Sequence, residues 1–194
     1  MSEKERKLEE LRKECLKCYK CSLCNTRTNI VFSDGNCDAK ILLIGEAPGA
    51  DEDETGTPFV GRAGKYLTQL IEESGLSRKN DFYIANTIKC RPPKNRVPSD
   101  EEKSLCEKYL LKQIEIVKPK VIVLCGATSA KSFLGDKIKI TQIRGNWYKI
   151  LDNIDATVIL HPSFLLRKHS EEEGSARWLT RQDILKIKQF ISKV

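Results

Sequence analysis

Apolar residues along this chain fall in short dense blocks, and the spacing inside each block predicts its element. From Ser2 to about Lys17, Leu8, Leu11 and Cys15 recur at intervals of three and four. That places them on one face of a helix whose other face is Glu, Lys and Arg. Lys40 to Ile44 is a short apolar run ending in Gly45, the pattern of a strand buried in a parallel sheet. A loop rich in Gly, Pro and acid follows from Glu46 to Gly61. A helix then runs from about Ala63 to Ser74, with Gly75 as its C-terminal cap. Phe82 to Ile88 reads as a second strand and Arg91 to Pro98 as a proline-rich loop. Ser99 with Glu102 three residues on is a capping box, opening a helix that ends near Lys118. Lys120 to Cys125 is a third buried strand, and Gly126 leads into a short helix. Ile138 to Ile150, centred on Arg144-Gly145-Asn146, reads as a hairpin or as a strand and loop. Ala156 to Leu160 is the last strand, stopped by His161-Pro162 and followed by a short helix. Residues 168–176 are polar, and Thr180 and Asp183 read as the start of the final helix.

Strands alternating with helices imply an α/β fold: a parallel sheet covered on both faces, in three layers. In such sheets the functional loops lie beyond the carboxyl ends of the strands. Here those are the loops after Ile44, after Ile84 and after Leu160. A length of 194 residues fits a single domain spanning 1–194, with a cysteine-rich N-terminal segment. The longest apolar runs are far too short to span a bilayer as a helix. The first fifteen residues lack the apolar stretch of a secretory signal, so an intracellular location is expected. The net charge of +7 permits a polyanionic partner without requiring one.

The glycines of the first loop fit neither nucleotide fingerprint. Gly45 and Gly49 miss the dinucleotide spacing, and Gly64-Lys65 is followed by Tyr66, with Phe59 where a phosphate loop needs glycine. Asp51, Glu52, Asp53 and Glu54 would repel a phosphate, and each reads most simply as a solvated loop residue. Glu46 differs, because it sits directly at a strand end. Phe59, between Pro58 and Val60, either stacks on a flat ligand or plugs the core. Asn86, at the end of the second strand, either reads a base edge or caps a turn. His161 follows a buried strand and precedes a proline, which turns it toward the edge shared by Glu46 and Asn86. Leu165 and Leu166, followed by Arg167 and Lys168, are core residues or a wedge for a base stack beside phosphate-holding cations. His169 reads as a surface residue.

Eight cysteines in a chain without a secretory signal read as metal or cluster ligands rather than as disulfides. Cys15, Cys18, Cys21 and Cys24 arrive every third residue, so the N-terminal pair could be drawn from any neighbouring two. Cys90 and Cys106 flank the proline-rich loop. Four thiolates from two distant segments suit zinc or an iron–sulfur cluster equally well. Cys125 reads as a core thiol, and Cys37 lies in a turn.

Together these segments resemble family four of the uracil-DNA glycosylases, the iron–sulfur type of thermophilic archaea and bacteria. The resemblance runs from about Cys18 to Lys188. It rests on GEAPG at 45–49, TGTPFVGRAG at 55–64, NTIKCRPPKNR at 86–96 and HPSFLLR at 161–167, four blocks in the family's order. It implies a four-stranded parallel sheet between helices, the uracil-DNA glycosylase fold. It also implies a 4Fe-4S cluster. The family's second N-terminal ligand precedes Arg-Thr by six residues, so Arg27-Thr28 points to Cys21. Cys18 and Cys21 are then joined by Cys90 and Cys106. The implied reaction is hydrolysis of the bond between uracil and deoxyribose, with the base first leaving the stack.

The roles carried over by the resemblance follow residue by residue. Phe59 stacks on the flipped uracil, Asn86 bonds its polar edge, and Ala47, Glu52 and Asn95 complete the base pocket. Glu46 orients or activates water, and His161 donates to a uracil oxygen as negative charge builds there. Ser163 and Arg167 hold phosphates, and Leu165 or Leu166 fills the vacated space. The implied partner is uracil-containing DNA, single- or double-stranded, bound by a monomer at the nucleoid. Cys90 runs straight into Arg91-Pro92-Pro93, without the inserted histidine loop of a related cross-linking branch, which favours turnover. Family five lacks a Glu at position 46, so a broader base range is not expected. The competing readings are a non-catalytic nucleic-acid-binding module and a zinc site in place of the cluster.

Overall fold

A computed structural model describes residues 1–194. Its six-stranded sheet has strands β1 (Asp34–Gly35), β2 (Ile41–Gly45), β3 (Phe82–Asn86), β4 (Val121–Cys125), β5 (Trp147–Ile150) and β6 (Ile154–Ile159), in the order β1-β3-β2-β4-β6-β5. The four inner strands are parallel, as expected. The two edge strands are additions that run antiparallel to their neighbours. β1 is only two residues long, and β5 is largely exposed, so neither carries the apolar run of a buried strand.

The helices are α1 (Glu3–Leu16), α2 (Ala50–Thr55), α3 (Arg62–Glu73), α4 (Arg78–Asp81), α5 (Asp100–Val117), α6 (Ala127–Leu134), α7 (Ile140–Ile143), α8 (Pro162–Leu165) and α9 (Ala176–Ile191). The alternation of side chains along β2 divides the core between them. Ile41 and Leu43 face a cluster with Leu67, Leu70 and Ile71 of α3 and Ile184 and Ile187 of α9. Leu42 and Ile44 face Leu8 of α1, Leu110 and Ile114 of α5 and Ala130 of α6. A third cluster joins Leu11, Cys15, Leu23, Ile30, Phe32, Ile88, Cys90 and Tyr109. It seats the N-terminal segment against α5 and the proline-rich loop. The expected capping box holds: Ser99 Oγ accepts from Glu102 N, and the Glu102 carboxylate accepts from Ser99 N.

Three expectations are corrected. The stretch from Glu46 to Gly61 is not all loop, because Ala50–Thr55 forms α2 with Asp51, Glu52 and Asp53 in its first turn. Carboxylates there oppose the positive end of the peptide dipoles. Of the two readings of Ile138 to Ile150 the hairpin fails and a strand with a loop holds: helix α7 precedes Arg144-Gly145-Asn146 and strand β5 follows it. A later hairpin joins β5 to β6 through Leu151, Asp152 and Asn153, all with positive φ. Arg144 is tied instead to the buried Asp183 and to the Leu179 carbonyl. The final helix starts at Ala176, where Ser175 Oγ accepts from Trp178 N. Thr180 and Asp183 therefore lie inside it, the carboxylate of Asp183 being met by Arg144 rather than by free amides. No helix is long and apolar enough to cross a membrane.

Candidate active site

Parallel register places Gly45 opposite Asn86, and Cys125 opposite Ile159. The chain leaves all four inner strands at one edge of the sheet, above which lies a cavity of about 590 Å³. Glu46, Ala47, Glu52, Phe59, Asn86, Asn95, His161, Ser163 and Arg167 line it, so the three strand-end loops meet as expected. Ile140 and Thr141 of α7 and Thr128 of α6 close a further side. Nothing in their sequence context marked them.

Glu46 is pinned through its backbone, its carbonyl accepting from Thr87 Oγ1 at 2.6 Å and from Ile88 N at 3.3 Å. Its carboxylate meets no protein donor and faces the cavity. Glu52 also lines the cavity, but its oxygens are engaged: they accept from the backbone N–H of Gly49, Val60 and Gly61 at 2.8 to 3.0 Å. Asp53 is not a solvated loop residue. It is buried and accepts from the backbone of Thr28 and Asn29, tying α2 to the segment that follows the N-terminal cysteines.

Phe59 is buried with φ of +53° in the left-handed region. An aromatic residue adopts that conformation at a cost. The turn is possible because Gly64 has no side chain: a Cβ there would overlap the Phe59 backbone. A Cβ on Gly45 would overlap the Phe59 ring, which lies with its centroid 6.1 Å from that of His161.

Asn86 is 2% exposed, and its Oδ1 has no hydrogen-bond partner. An unpaired buried acceptor is costly, on the order of 1–3 kcal/mol, and asks for a donor from outside the protein. The Asn86 backbone is braced from below. The ammonium of Lys89, 1% exposed, donates to the Asn86 carbonyl at 2.9 Å and to Gln113 Oε1 at 2.7 Å. Burial pushes that ammonium down to about 8. Its signal in the sequence is a lysine set between Ile88 and Cys90, three residues beyond the end of β3.

His161 Nδ1 accepts from Ser163 N at 3.2 Å and lies 2.7 Å from Ser163 Oγ. A backbone N–H can only donate, so the neutral ring carries its proton on Nε2. Desolvation, with added repulsion from Arg167, pushes the imidazole down to about 4, so it is neutral at physiological pH. The Ser163 hydroxyl is thus engaged with His161. Asn95, with φ of +55°, sits at the rim and accepts from Arg91 Nε at 2.8 Å. Leu165 is fully buried in the core, so it is no wedge. The single turn of α8 points it inward and leaves Leu166 half-buried and Arg167 exposed.

Cys18, Cys21, Cys90 and Cys106 line one small interior cavity, with Cys15 also in its wall. Cys24 lies outside it, with its thiol against Asn25 Oδ1. Cys125 is fully buried, as expected. No group of three or more Cys, His, Asp or Glu side chains is placed to hold a single metal ion. Arg27 donates to Cys90 Sγ at 3.3 Å and to the Cys18 carbonyl at 2.8 Å. Burial pushes the Cys90 thiol up to about 11 and raises those of Cys21 and Cys106.

The family model described as the uracil DNA glycosylase superfamily matches residues 32–185. A type-4 uracil-DNA glycosylase of Thermotoga maritima is 46% identical over 194 residues, which is 100% of this chain and 99% of that protein. One from Saccharolobus solfataricus is 46% identical over 190 residues, 92% of this chain and 84% of its own. A type-5 uracil-DNA glycosylase of Thermus thermophilus is 33% identical over 114 residues, 52% of each chain. The chain belongs to the uracil DNA glycosylase superfamily and, within it, to the type-4 uracil-DNA glycosylases.

Proposed function

We propose that this enzyme removes uracil from DNA by taking the base out of the stack into the cavity above the sheet edge. Water then displaces it from C1′ of the deoxyribose, leaving an abasic site. The observation that carries this reading is the unpaired Oδ1 of Asn86 inside that cavity. The polar edge of uracil presents an N3–H donor beside the O4 acceptor. One amide accepts from the first and donates to the second. Cytosine presents an acceptor at N3 and would set two lone pairs against each other. Phe59 stacks on the ring, and Ala47, Glu52 and Asn95 bound the pocket. Glu52 acts there by holding three backbone amides in place. On this reading the methyl group of thymine would clash with the packed loop.

The carboxylate of Glu46, free of protein donors, orients the attacking water and takes its proton as the new C1′–O bond forms. It also faces the positive charge that develops on the sugar. The C1′–N1 bond breaks with its electron pair going to uracil, and His161 Nε2–H donates to uracil O2 as charge accumulates there. A neutral imidazole suits this task, because it donates without titrating in the working range. Arg167 holds a backbone phosphate, and Leu166 fills the gap left in the stack. The substrate is uracil-containing DNA, with one chain acting alone.

Cys18, Cys21, Cys90 and Cys106 would hold a 4Fe-4S cluster. Four thiols from two distant segments lining one cavity would supply the four-thiolate shell that such a cluster takes. The positive charges of Arg27 and Lys89 suit its anionic thiolate shell. When bound, the cluster supplies a covalent brace between the N-terminal segment, the proline-rich loop and α5. Hydrolysis itself uses only the side chains above the sheet edge.

Glu46→Gln is expected to slow excision by about 10² to 10⁴-fold while binding to uracil-containing duplex changes less than about twofold. Alkali cleavage at a single uracil in a single-turnover assay measures it, and wild-type rates in this variant remove Glu46 from the reaction. His161 is expected to be the Nε2–H tautomer at pH 7, with a titration midpoint near 4 by nitrogen NMR. The unfolded chain binds that proton near 6.5, so stability falls as pH drops from 6.5 toward 4, and His161→Gln flattens this limb. A midpoint near 6.5 or an Nδ1–H tautomer contradicts the assignment. Serine at Cys21 or Cys106 is expected to abolish visible absorption and bound iron, whereas serine at Cys24 leaves both intact. A colourless protein carrying zinc overturns the cluster.

A further inference from the structure

We propose that Arg78 is a positioning residue for base stacking: it sets both backbone dihedrals of Phe59 and so holds the ring at the height where a flipped base lands. The proposal rests on the stacking role of Phe59 given above. Arg78 opens α4, outside the four blocks that carry the site residues, and its side chain is 14% exposed. Its guanidinium donates to four acceptors at once. These are the carbonyls of Pro58 and Phe59, each at 2.7 Å, Thr68 Oγ1 at 2.9 Å and the Asp34 carboxylate at 2.9 Å.

The two carbonyls matter most. The Pro58 carbonyl belongs to the peptide plane between residues 58 and 59, and the tilt of that plane is the φ of Phe59. The Phe59 carbonyl belongs to the next plane, whose tilt is its ψ. Peptide planarity leaves only these two soft angles, so one planar cation bonded to both carbonyls fixes both. The second plane is also held from its other side, where Val60 N–H donates to Glu52 at 2.9 Å. A left-handed φ at an aromatic residue relaxes toward the α or β region unless its surroundings over-determine it. Gly64 removes the steric obstacle, and Arg78 supplies the restraint. Asp34 on β1 and Thr68 on α3 aim the guanidinium, which gives the short edge strand a task in the site. Uniform core packing does not require a fork that joins two successive carbonyls of one strained turn.

The test reads uracil binding apart from fold stability and DNA affinity. Free uracil is the probe, as an inhibitor of excision, with Phe59→Leu, Arg78→Ala, Arg78→Lys and the Phe59→Leu/Arg78→Ala pair compared with wild type. Phe59→Leu is expected to weaken uracil inhibition by about tenfold, in line with the loss of one stacking contact. If it does not, the stacking role itself fails. Given that loss, Arg78→Ala is expected to weaken inhibition and slow single-turnover excision by a similar factor, with binding to an abasic duplex within about twofold of wild type. The double variant is expected to be no worse than the worse single one, because both act through the same ring. Wild-type uracil inhibition in Arg78→Ala, or losses that multiply in the double variant, overturn the proposal. If Arg78→Ala loses its cooperative thermal transition, Arg78→Lys carries the test. A single ammonium cannot span the four acceptors, so uracil inhibition is expected to weaken in the same direction. Wild-type inhibition in the lysine variant overturns the proposal.

Discussion

The site depends on one constraint, the register of the four parallel strands. Pairing Gly45 with Asn86, and Cys125 with Ile159, ends every inner strand at one level. Glu46, Asn86 and His161 come from chain positions more than a hundred residues apart at the extremes, yet they stand within a few side-chain widths at one edge. Register in a sheet buried on both faces is strongly determined, since a slip of one residue turns each side chain to the opposite layer. Ile41 to Ile44 divide between the two core clusters in strict alternation, so the pull that packs α3 on one face and α5 on the other also locates the chemistry.

Within that frame the site is built from groups the fold alone would not favour. Asn86 keeps a buried acceptor unpaired, Phe59 occupies a left-handed conformation, and desolvation holds His161 neutral. Each departure has a restraint beside it: Lys89 under the Asn86 carbonyl, Gly64 and Arg78 around Phe59, Ser163 against His161 Nδ1. Departures of this kind gather where function over-rides local preference. The cysteine cavity is joined to them along the chain, Lys89 and Cys90 both lining it. Cys90 follows Lys89, and Asp53 ties α2 to Thr28 and Asn29. The segment after the N-terminal cysteines is thereby linked to the helix that carries Glu52.

Much of this was legible in the sequence, for physical reasons. Inner parallel strands are continuous apolar runs, and the Ser99–Glu102 box and the face of Leu8, Leu11 and Cys15 follow from helix geometry. Strand-end residues could be picked out because strand ends are where such sheets place chemistry. Other features were hidden because tertiary partners decide them. Asp183 looks like a helix opener until Arg144 meets it. Leu165 and Leu166 are adjacent and alike, and only the turn of α8 sends the first inward. The acidic run looked like loop, yet its carboxylates stabilise a short helix and anchor backbone amides. Arg78 carries no local signal at all, because its four acceptors come from three different places in the chain.

The central claim is that the unpaired acceptor of Asn86 reads the N3–H of uracil. Inhibition of excision by free uracil and by 3-methyluracil tests it most directly, since the two differ only at that position. Uracil is expected to inhibit, and 3-methyluracil to inhibit at least about tenfold less, because its methyl group replaces the donor and abuts Oδ1. Equal inhibition by the two would contradict the account.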